Sequence, residues 1–400
     1  WIKGSLVFKV LYRSDKQEGK ISCLRGEIPF QERLNMDGLS EYDAVHATGD
    51  MEDLTIGVIN SRKLNVRAVI VLTASSEKEV DEELTCELSD GSSYEQNIVE
   101  KEALKLLVVR RDICRQKSEA VLPSSKPNIR EILWQSMQLR NVESRLVEGK
   151  IRLSGEILVS ILYNDEEEGE HLSWYETTVP LDAQAECGVM EDDCIWQVQM
   201  VPLTMELEVK PDYDGEERIL VMELALDTHI RIWKEEKIRL LTDLYSLQKE
   251  VKPVFRECPL ERLLVKNAAK CRMTEQMELK EDKEKVLQIC SCEGKVLLER
   301  QEIKPDGVLA EGTVEVNILY ITPDDHMPVG AVQEIYPFSQ LVEIPEMSAQ
   351  AKVELDASLE QLSAVMLDQE HVEISTAGSD CLCAGSHTEY RGGHRVGTGS

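Results

Sequence analysis

Basic side chains are scarce in this 400-residue sequence. It has 45 lysines and arginines against 75 aspartates and glutamates, which gives a formal net charge of −30. A surface of that sign repels the phosphates of nucleic acids and the headgroups of anionic lipids. We therefore predict no nucleic-acid partner. The charge is compatible with solubility and with a basic partner, although most acidic side chains are simply solvated.

Long apolar runs are missing as well. A helix that spans a bilayer needs about 20 consecutive apolar residues, whereas the run at residues 68–72 is short and typical of a buried strand. We predict no integral membrane segment. The sequence begins at Trp1, already inside one of the repeats described below. We therefore expect a fragment, in which a native targeting segment would not be visible.

The common signatures of enzymes are absent too. Neither a G-x-x-x-x-G-K-S/T loop nor a strand-linked G-x-G-x-x-G occurs, and no G-x-S-x-G elbow is present. We predict no catalytic residue and no cofactor. The eleven cysteines are odd in number and scattered singly, and several, such as Cys114 and Cys271, lie in apolar stretches. This usage predicts free thiols in a reducing cytosol.

What the sequence does contain is an internal repeat. In three segments a tyrosine follows a glycine by eight residues, and a proline follows the same glycine by twenty-five. The glycines are 151 and 157 residues apart, which is an ordinary domain length and far longer than a solenoid repeat. The three sets are Gly4, Tyr12 and Pro29; Gly155, Tyr163 and Pro180; and Gly312, Tyr320 and Pro337.

Each set reads as a strand, a polar loop and a second strand. Between the glycine and the tyrosine, apolar residues such as Ile157, Val159 and Ile161 occupy every second position. Three polar residues lie in register on the opposite face, which predicts a half-buried strand: Lys9, Ser160 and Asn317. The tyrosine is predicted to pack at the rim of the core, with a shared binding face as the alternative. The proline is predicted to lie on an edge strand or at the start of a strand, where no ladder donor is lost.

Short, frequent strands separated by turn residues predict an all-β fold, with tandem repeats of a β-sandwich or barrel-like domain and few short helices. Within the second repeat we predict strands at 218–226 and 229–233 and a helix at 239–249. The glycine-rich end has no apolar period and is predicted to be a disordered or foreign tail. The predicted domains are 1–98 (truncated at its N-terminal side), 99–254, 255–374 (truncated at its C-terminal side) and the tail at 375–400.

Three groups of residues have side chains that could bind a metal ion. The pair Cys290 and Cys292 is predicted to be buried thiols, since no histidine lies near it in sequence. The acidic loop at 165–168 is predicted to be solvated, with a calcium or acid/base site as the alternative. Our prediction is that the chain has no metal site. A loosely spaced zinc set in the tail remains as an alternative: Cys381, Cys383, His387 and His394.

The repeats resemble the SPOCS domain of clostridial sporulation proteins, the SipL-like spore-coat morphogenetic family. The resemblance covers residues 1 to about 374 and rests on the Gly/Tyr/Pro spacing and on two further matches. Leu-Leu-Val at 106–108 recurs at 263–265, and Cys114-Arg115 recurs as Cys271-Arg272. The stretch Lys-Pro-Asn-Ile-Arg-Glu-Ile-Leu at 126–133 adds to it.

The resemblance implies a non-catalytic structural protein of the mother-cell cytoplasm that is recruited to the forespore surface. Its implied partners are spore-coat morphogenetic proteins, including the coat morphogenetic ATPase. In SipL-like proteins a C-terminal LysM domain makes the ATPase contact, and nothing after Ile374 has the pattern of that domain. The alternatives are a tandem β-sandwich array at the cell surface that binds ligands or glycans, and a hydrolase, which would need a convergent polar pocket. The sequence leaves the oligomeric state open.

Overall fold

Backbone pairing between extended strands dominates this computed structural model. It describes residues 1–13, 20–40, 43, 45–76, 81, 83–88, 94–166, 171–189, 193–248, 250–280, 283–344 and 351–398. The sixteen strands are β1 (Ile2–Arg13), β2 (Ile21–Glu32), β3 (Val45–Asn60), β4 (Lys63–Ser76), β5 (Glu95–Val121), β6 (Ile129–Val147), β7 (Lys150–Asp165), β8 (Leu172–Glu186), β9 (Cys194–Pro211), β10 (Glu217–Tyr245), β11 (Val251–Glu278), β12 (Gln288–Lys304), β13 (Gly307–Ile321), β14 (Val329–Glu343), β15 (Lys352–Met366) and β16 (His371–Thr398). Over these described ranges no residue is helical, and the all-β prediction is confirmed.

The second and third repeats are built from the same two kinds of three-stranded sheet. In the second repeat the sheets have the orders β6-β7-β8 and β5-β10-β9, and in the third they have the orders β12-β13-β14 and β11-β16-β15. The first repeat contributes two two-stranded sheets, β1-β2 and β3-β4. The predicted repeat is therefore present in the strand order as well as in the sequence.

Apolar side chains from both sheets meet in the core of the second repeat. Ile157, Val159 and Ile161 of β7 are buried in one cluster with Leu220 and Leu226 of β10. The predicted apolar face of β7 is thus confirmed. The third repeat has an equivalent cluster, which includes Val314, Val316, Ile318, Val372 and Ile374. Burial between two sheets is what defines a β-sandwich.

The chain divides into two compact bodies. One comprises residues 1–10 and 24–83, and the other comprises residues 11–23 and 84–400. The second body thus contains both complete sandwiches. The finer division at residues 98, 254 and 374 stays a prediction.

The end of the second repeat is a strand where we predicted a helix. Residues 239–245 belong to β10, and their backbone pairs with β5 from Arg239↔Glu100 to Tyr245↔Glu95. The predicted strands at 218–226 and 229–233 are likewise parts of this one strand. The long partner β5 explains the difference, because its backbone offers hydrogen bonds along the whole of β10.

The glycine-rich end also differs from the prediction. β16 extends to Thr398 and pairs with β11 along its whole length, from Glu278↔His371 to Val251↔Thr398. It pairs with β15 on its other edge. In the third repeat, β16 lies at the place of β10 and includes residues 375–398, for which we predicted a disordered or foreign tail. A ladder is made by backbone groups, so a segment without apolar alternation can still join it.

Candidate protein-interaction surface

The repeated tyrosine is a core residue in the second and third repeats. Tyr163 and Tyr320 are 0% and 1% exposed, whereas Tyr12 is 43% exposed. The Tyr163 hydroxyl donates to the carbonyl oxygen of Pro127, and that of Tyr320 donates to the carbonyl oxygen of Glu284, each at 3.1 Å. Burial raises the pKa of Tyr163 to about 12, so its hydroxyl keeps the proton it donates. The predicted rim position is wrong for both core tyrosines, and their burial excludes a binding face built from them.

The repeated glycine lies where the preceding strand comes too close for a side chain. A Cβ at Gly155 would lie 2.9 Å from the carbonyl oxygen of Arg140, and a Cβ at Gly312 would collide with the equivalent carbonyl oxygen of Leu297. Both carbonyls lie next to an irregularity in the ladder. Phe338 lies directly opposite Gly312 on β14 and covers the bare backbone. An aromatic ring that covers a strand glycine in this way stabilises the sheet.

The repeated proline lies on an edge strand, as predicted. Pro180 belongs to β8 and Pro337 belongs to β14, and each of these strands is at the end of its three-stranded sheet. An edge position costs no ladder hydrogen bond. In the second and third repeats, the glycine, the tyrosine and the proline therefore have a role in building the sheet.

The paired thiols are protonated at neutral pH. Cys290 is buried, and burial raises the pKa of both Cys290 and Cys292 to about 12. Thiols of this kind are poor nucleophiles and poor metal ligands. Over the described residues, no group of three or more histidine, cysteine, aspartate and glutamate side chains is placed to hold a metal ion. The side chains of the tail set lie outside the described residues: Cys381, Cys383, His387 and His394.

The acidic loop of the second repeat begins with a buried carboxylate. Asp165 is 2% exposed, and its Oδ1 accepts a hydrogen bond from the backbone N–H of His171 at 3.0 Å. The prediction of a solvated loop is therefore wrong for Asp165. Residues 167–170, and residues 14–18 at the equivalent place in the first repeat, lie outside the described residues. In the third repeat, Asp324 Oδ1 accepts the N–H of His326 at 2.8 Å. The carboxylates of Asp165 and Asp324 therefore stabilise their loops by accepting backbone hydrogen bonds.

The second and third repeats contact each other through the face of β7 that carries Ser160, which the prediction of a half-buried strand left uncovered. Leu158, Ser160 and Leu162 on this face are all buried. The Ser136 hydroxyl on β6 hydrogen-bonds the Ser291 hydroxyl on β12 at 3.1 Å. The prediction of a half-buried strand is wrong here, because a neighbouring sheet covers the second face.

The third sandwich contains a small pocket. Its volume is about 30 Å³, and its lining includes Thr376 and Gly378 of β16. The ladder registers place these two residues where β10 has Leu224 and Leu226. The smaller side chains leave part of the core unfilled. The rest of the lining is mostly apolar: Cys271, Met273, Val296, Val314, Phe338, Ser358 and Leu359.

An exposed apolar surface lies on the two-stranded sheet of residues 45–76, which we call the β3–β4 ribbon. Its strands are antiparallel, and its paired residues include Val58↔Leu64 and Ile56↔Val66. Val58 is 75% exposed. Its pairing partner Leu64 is partly buried and belongs to β4, in which exposed and partly buried residues alternate. Val69 and Val71 lie on the face of β4 opposite to that of Val66, so the exposed apolar residues are divided between the two faces of the ribbon. The exposed large apolar residues of the ribbon are Val45, Met51, Leu54, Ile56, Val58, Ile59, Val69 and Val71.

Sequence reasoning missed this surface. The run at 68–72 was predicted to be a buried strand, yet Val69 and Val71 are 38% and 48% exposed. The sequence did contain a signal, because apolar residues occupy every second position at 54, 56 and 58 and again at 64, 66 and 68. This pattern predicts two strands that share an apolar face, but it does not predict what covers that face. No helix in the part of the chain that the structure describes is long and apolar enough to cross a bilayer.

Comparison with known proteins returns one family. The family model described as "SipL, SPOCS domain" matches residues 1–59, 128–210 and 285–367. The second and third matches span β6 to β9 and β12 to β15, and they are displaced by the same 157 residues as the glycines. Neither the curated proteins nor the solved structures contain a match to the chain.

Proposed function

This chain belongs to the SipL SPOCS-domain family, and from that membership we propose that it is a non-catalytic scaffold of spore coat or envelope assembly. It works by holding other proteins together through protein–protein contacts. The observation that carries the proposal is the family match in three separate segments, one in each repeat. A sporulation-related role follows from the family; the scaffold role is the finer step.

The chemistry of the described residues supports a contact function. The residues common to the repeats have structural roles. The hydroxyls of Tyr163 and Tyr320, for example, donate hydrogen bonds to backbone carbonyl oxygens inside the core. The thiols of Cys290 and Cys292 are held in the protonated state. An apolar ribbon, by contrast, is exposed at residues 45–76. A surface of this kind gains free energy when a partner covers it.

The family sets the proposed location and partners. We propose that the protein acts in the mother-cell cytoplasm, at the surface of the forespore, and that its partners are spore-coat morphogenetic proteins. The net charge of −30 favours partners with a basic contact surface.

A pull-down from sporulating cells, with the native full-length chain as bait, tests the proposal. We expect coat morphogenetic proteins to be recovered with the wild-type chain. A double variant, Ile56→Asp with Val58→Asp, places charge on the exposed apolar ribbon and should reduce recovery. Tyr213→Asp is the matched control, because Tyr213 is fully exposed and belongs to the β9–β10 turn of the second repeat, not to the ribbon. Recovery of no coat protein by the wild-type chain would overturn the scaffold proposal.

A further inference from the structure

Three chain segments meet at one end of the third sandwich. The backbone N–H of Leu287 donates to the carbonyl oxygen of Ile321 at 2.8 Å, and that of Val286 donates to the carbonyl oxygen of Gln369 at 2.9 Å. Residues 286 and 287 therefore run between the β13–β14 loop and the β15–β16 turn. We call this end the third-repeat tip, and its described residues are 283–287, 321–328 and 366–371.

Each of the three segments exposes a large apolar side chain. Leu287, Met327 and Leu367 are 50%, 51% and 49% exposed. Single exposed apolar residues are normal on a protein surface, whereas several on adjoining segments indicate a contact site. A partner that covered these side chains would gain free energy from the hydrophobic effect.

The second repeat shows that the fold does not need apolar side chains at these places. The N–H of Thr322 donates to the carbonyl oxygen of Pro328 at 3.1 Å, and the bond from Asp165 to His171, 157 residues earlier, has the same length. The family match continues this offset to residues 210 and 367. The counterparts of the three exposed apolar residues are all charged: Arg130, Glu170 and Lys210. The apolar side chains of the third-repeat tip are therefore not a requirement of the sandwich.

Acidic side chains outnumber basic ones at the tip. Lys285 and Glu370 form an ion pair at 3.0 Å, and Arg13 of the first repeat donates a hydrogen bond to the carbonyl oxygen of His326. Apart from the histidines, the charged side chains of the described tip are Glu284, Asp324, Asp325, Asp368 and Glu370 against Lys283 and Lys285.

This excess of negative charge selects between possible partners. It attracts a basic polypeptide segment and repels the headgroups of anionic lipids. A second copy of the chain would bring the same acidic tip and the same net charge of −30 to the contact, so self-association is disfavoured.

We propose that the third-repeat tip binds a segment of a partner protein in which apolar side chains are flanked by lysine or arginine. The apolar side chains of the segment cover Leu287, Met327 and Leu367, and its basic side chains lie against the acidic residues around them. The inference deepens the proposed scaffold function, on which it rests for its biological setting, by assigning one contact to this end of the third repeat.

A peptide titration on the full chain tests the inference, with binding followed by fluorescence anisotropy. One fluorescent probe has Leu-Phe-Leu between two runs of three lysines. A second probe has glutamate in place of every lysine, and a third has Ser-Gly-Ser in place of Leu-Phe-Leu. We expect the first probe to bind the wild-type chain about tenfold more tightly than either of the others, a difference equivalent to burying part of one leucine side chain.

A double variant, Leu287→Arg with Leu367→Lys, gives the tip the side chains that the second repeat has at the same positions. It should therefore fold normally and bind the first probe about tenfold more weakly. The matched control is Leu297→Arg with Ile335→Lys, which makes the same change in net charge. Leu297 and Ile335 are exposed in the middle of β12 and β14, outside the tip. The control should stay within about twofold of the wild-type affinity.

The other outcomes overturn the inference. Equal losses in the double variant and the control would show that the probe responds to net charge and not to the tip. The same conclusion against the tip follows if the three probes bind equally, or if none binds. Self-association of the wild-type chain that the double variant loses, measured by sedimentation velocity, would show that a second copy occupies the tip.

The two proposals fail separately. If the tip inference fails, recovery of coat proteins by the wild-type chain in the pull-down would leave the scaffold proposal standing. If the first probe binds at the tip and no coat protein is recovered, the scaffold proposal alone is overturned.

Discussion

The hydroxyls of Ser136 and Ser291 are 3.1 Å apart and satisfy each other, although 155 residues separate them in the chain. Ser136 lies on β6 of the second repeat and Ser291 lies on β12 of the third, and both are buried. When a buried polar group loses its hydrogen-bond partner, the folded state is destabilised by the full desolvation free energy of that group. This pair therefore reports directly on the contact between the two repeats.

Ser136→Ala should destabilise the protein because it leaves the Ser291 hydroxyl buried without this partner. We expect a loss of about 1–3 kcal/mol in the free energy of unfolding. The double variant with Ser291→Ala should lose clearly less than the sum of the two single variants. Urea denaturation of the four proteins measures the coupling. Additive losses would mean that the two hydroxyls do not interact.

Tyr163→Phe should remove the hydrogen bond to the Pro127 carbonyl and keep the ring in the core. We expect a loss of about 1 kcal/mol, which is typical of one intramolecular hydrogen bond. Tyr320→Phe should cost a similar amount, because its bond has the same length. Tyr12→Phe is the control, since Tyr12 is partly exposed. Equal effects at all three positions, measured by urea denaturation, would contradict the distinction between core and surface tyrosines.

Gly312→Ala should be strongly destabilising. Its Cβ would collide with the backbone carbonyl of Leu297 and would press on the ring of Phe338. We expect a loss of about 2 kcal/mol or more, in the range of overpacked core substitutions. Gly57→Ala is the matched control, because a Cβ there meets no heavy atom within 4 Å. It should be neutral or slightly stabilising. Thermal unfolding of both variants measures the difference in stability. If Gly312→Ala is as stable as the wild type, β12 can shift away from the added Cβ.

Thr376→Ile should stabilise the third sandwich. The larger side chain fills part of the cavity beside Gly378 and replaces a buried hydroxyl, and a β-branched residue suits a strand. We expect a gain of about 0.5–2 kcal/mol in the free energy of unfolding, as for other cavity-filling substitutions. Leu224→Thr makes the opposite change in the second repeat and should be destabilising. A loss of stability in Thr376→Ile would mean that the cavity cannot take the added atoms.

The turn between β15 and β16 should respond to pH through His371 and Asp368. The hydrogen bond that the His371 ring donates from Nδ1 to the Asp368 carboxylate raises the pKa of His371 above its ordinary 6.5. The backbone N–H of Glu370, followed by the His371 side chain, lowers the pKa of Asp368 below its ordinary 3.8. The contribution of His371 is complete below pH 6.5 and is lost as the pH rises through its raised pKa. The contribution of Asp368 is complete above pH 3.8 and is lost as the pH falls through its lowered pKa.

Asp368→Asn should return the pKa of His371 towards 6.5. Titration of the histidine ring protons by NMR in the wild-type and variant proteins measures the change. An unchanged His371 titration would show that the ion pair does not form in solution.

Local sequence patterns predicted the parts of the fold that depend on neighbouring residues. The alternation at 157, 159 and 161 placed the core face of β7 correctly, and the position of Pro180 and Pro337 marked the edge strands. The burial of Cys114 followed from its apolar surroundings. The patterns failed where a distant segment changed the environment. Ser160 is buried under the third repeat, and residues 239–245 are held as a strand by β5.

The sequence by itself determined that the chain repeats a pleated, one-sided apolar strand three times, because side-chain alternation is a local property of the backbone. It also determined the family, since the spacing of glycine, tyrosine and proline is readable without coordinates. Only the tertiary structure decided which second faces are covered, that Tyr163 and Tyr320 lie inside the core, and which strand edges have partners. The physical reason is that burial and strand pairing depend on segments far away in the chain, and no local pattern records what those segments will cover.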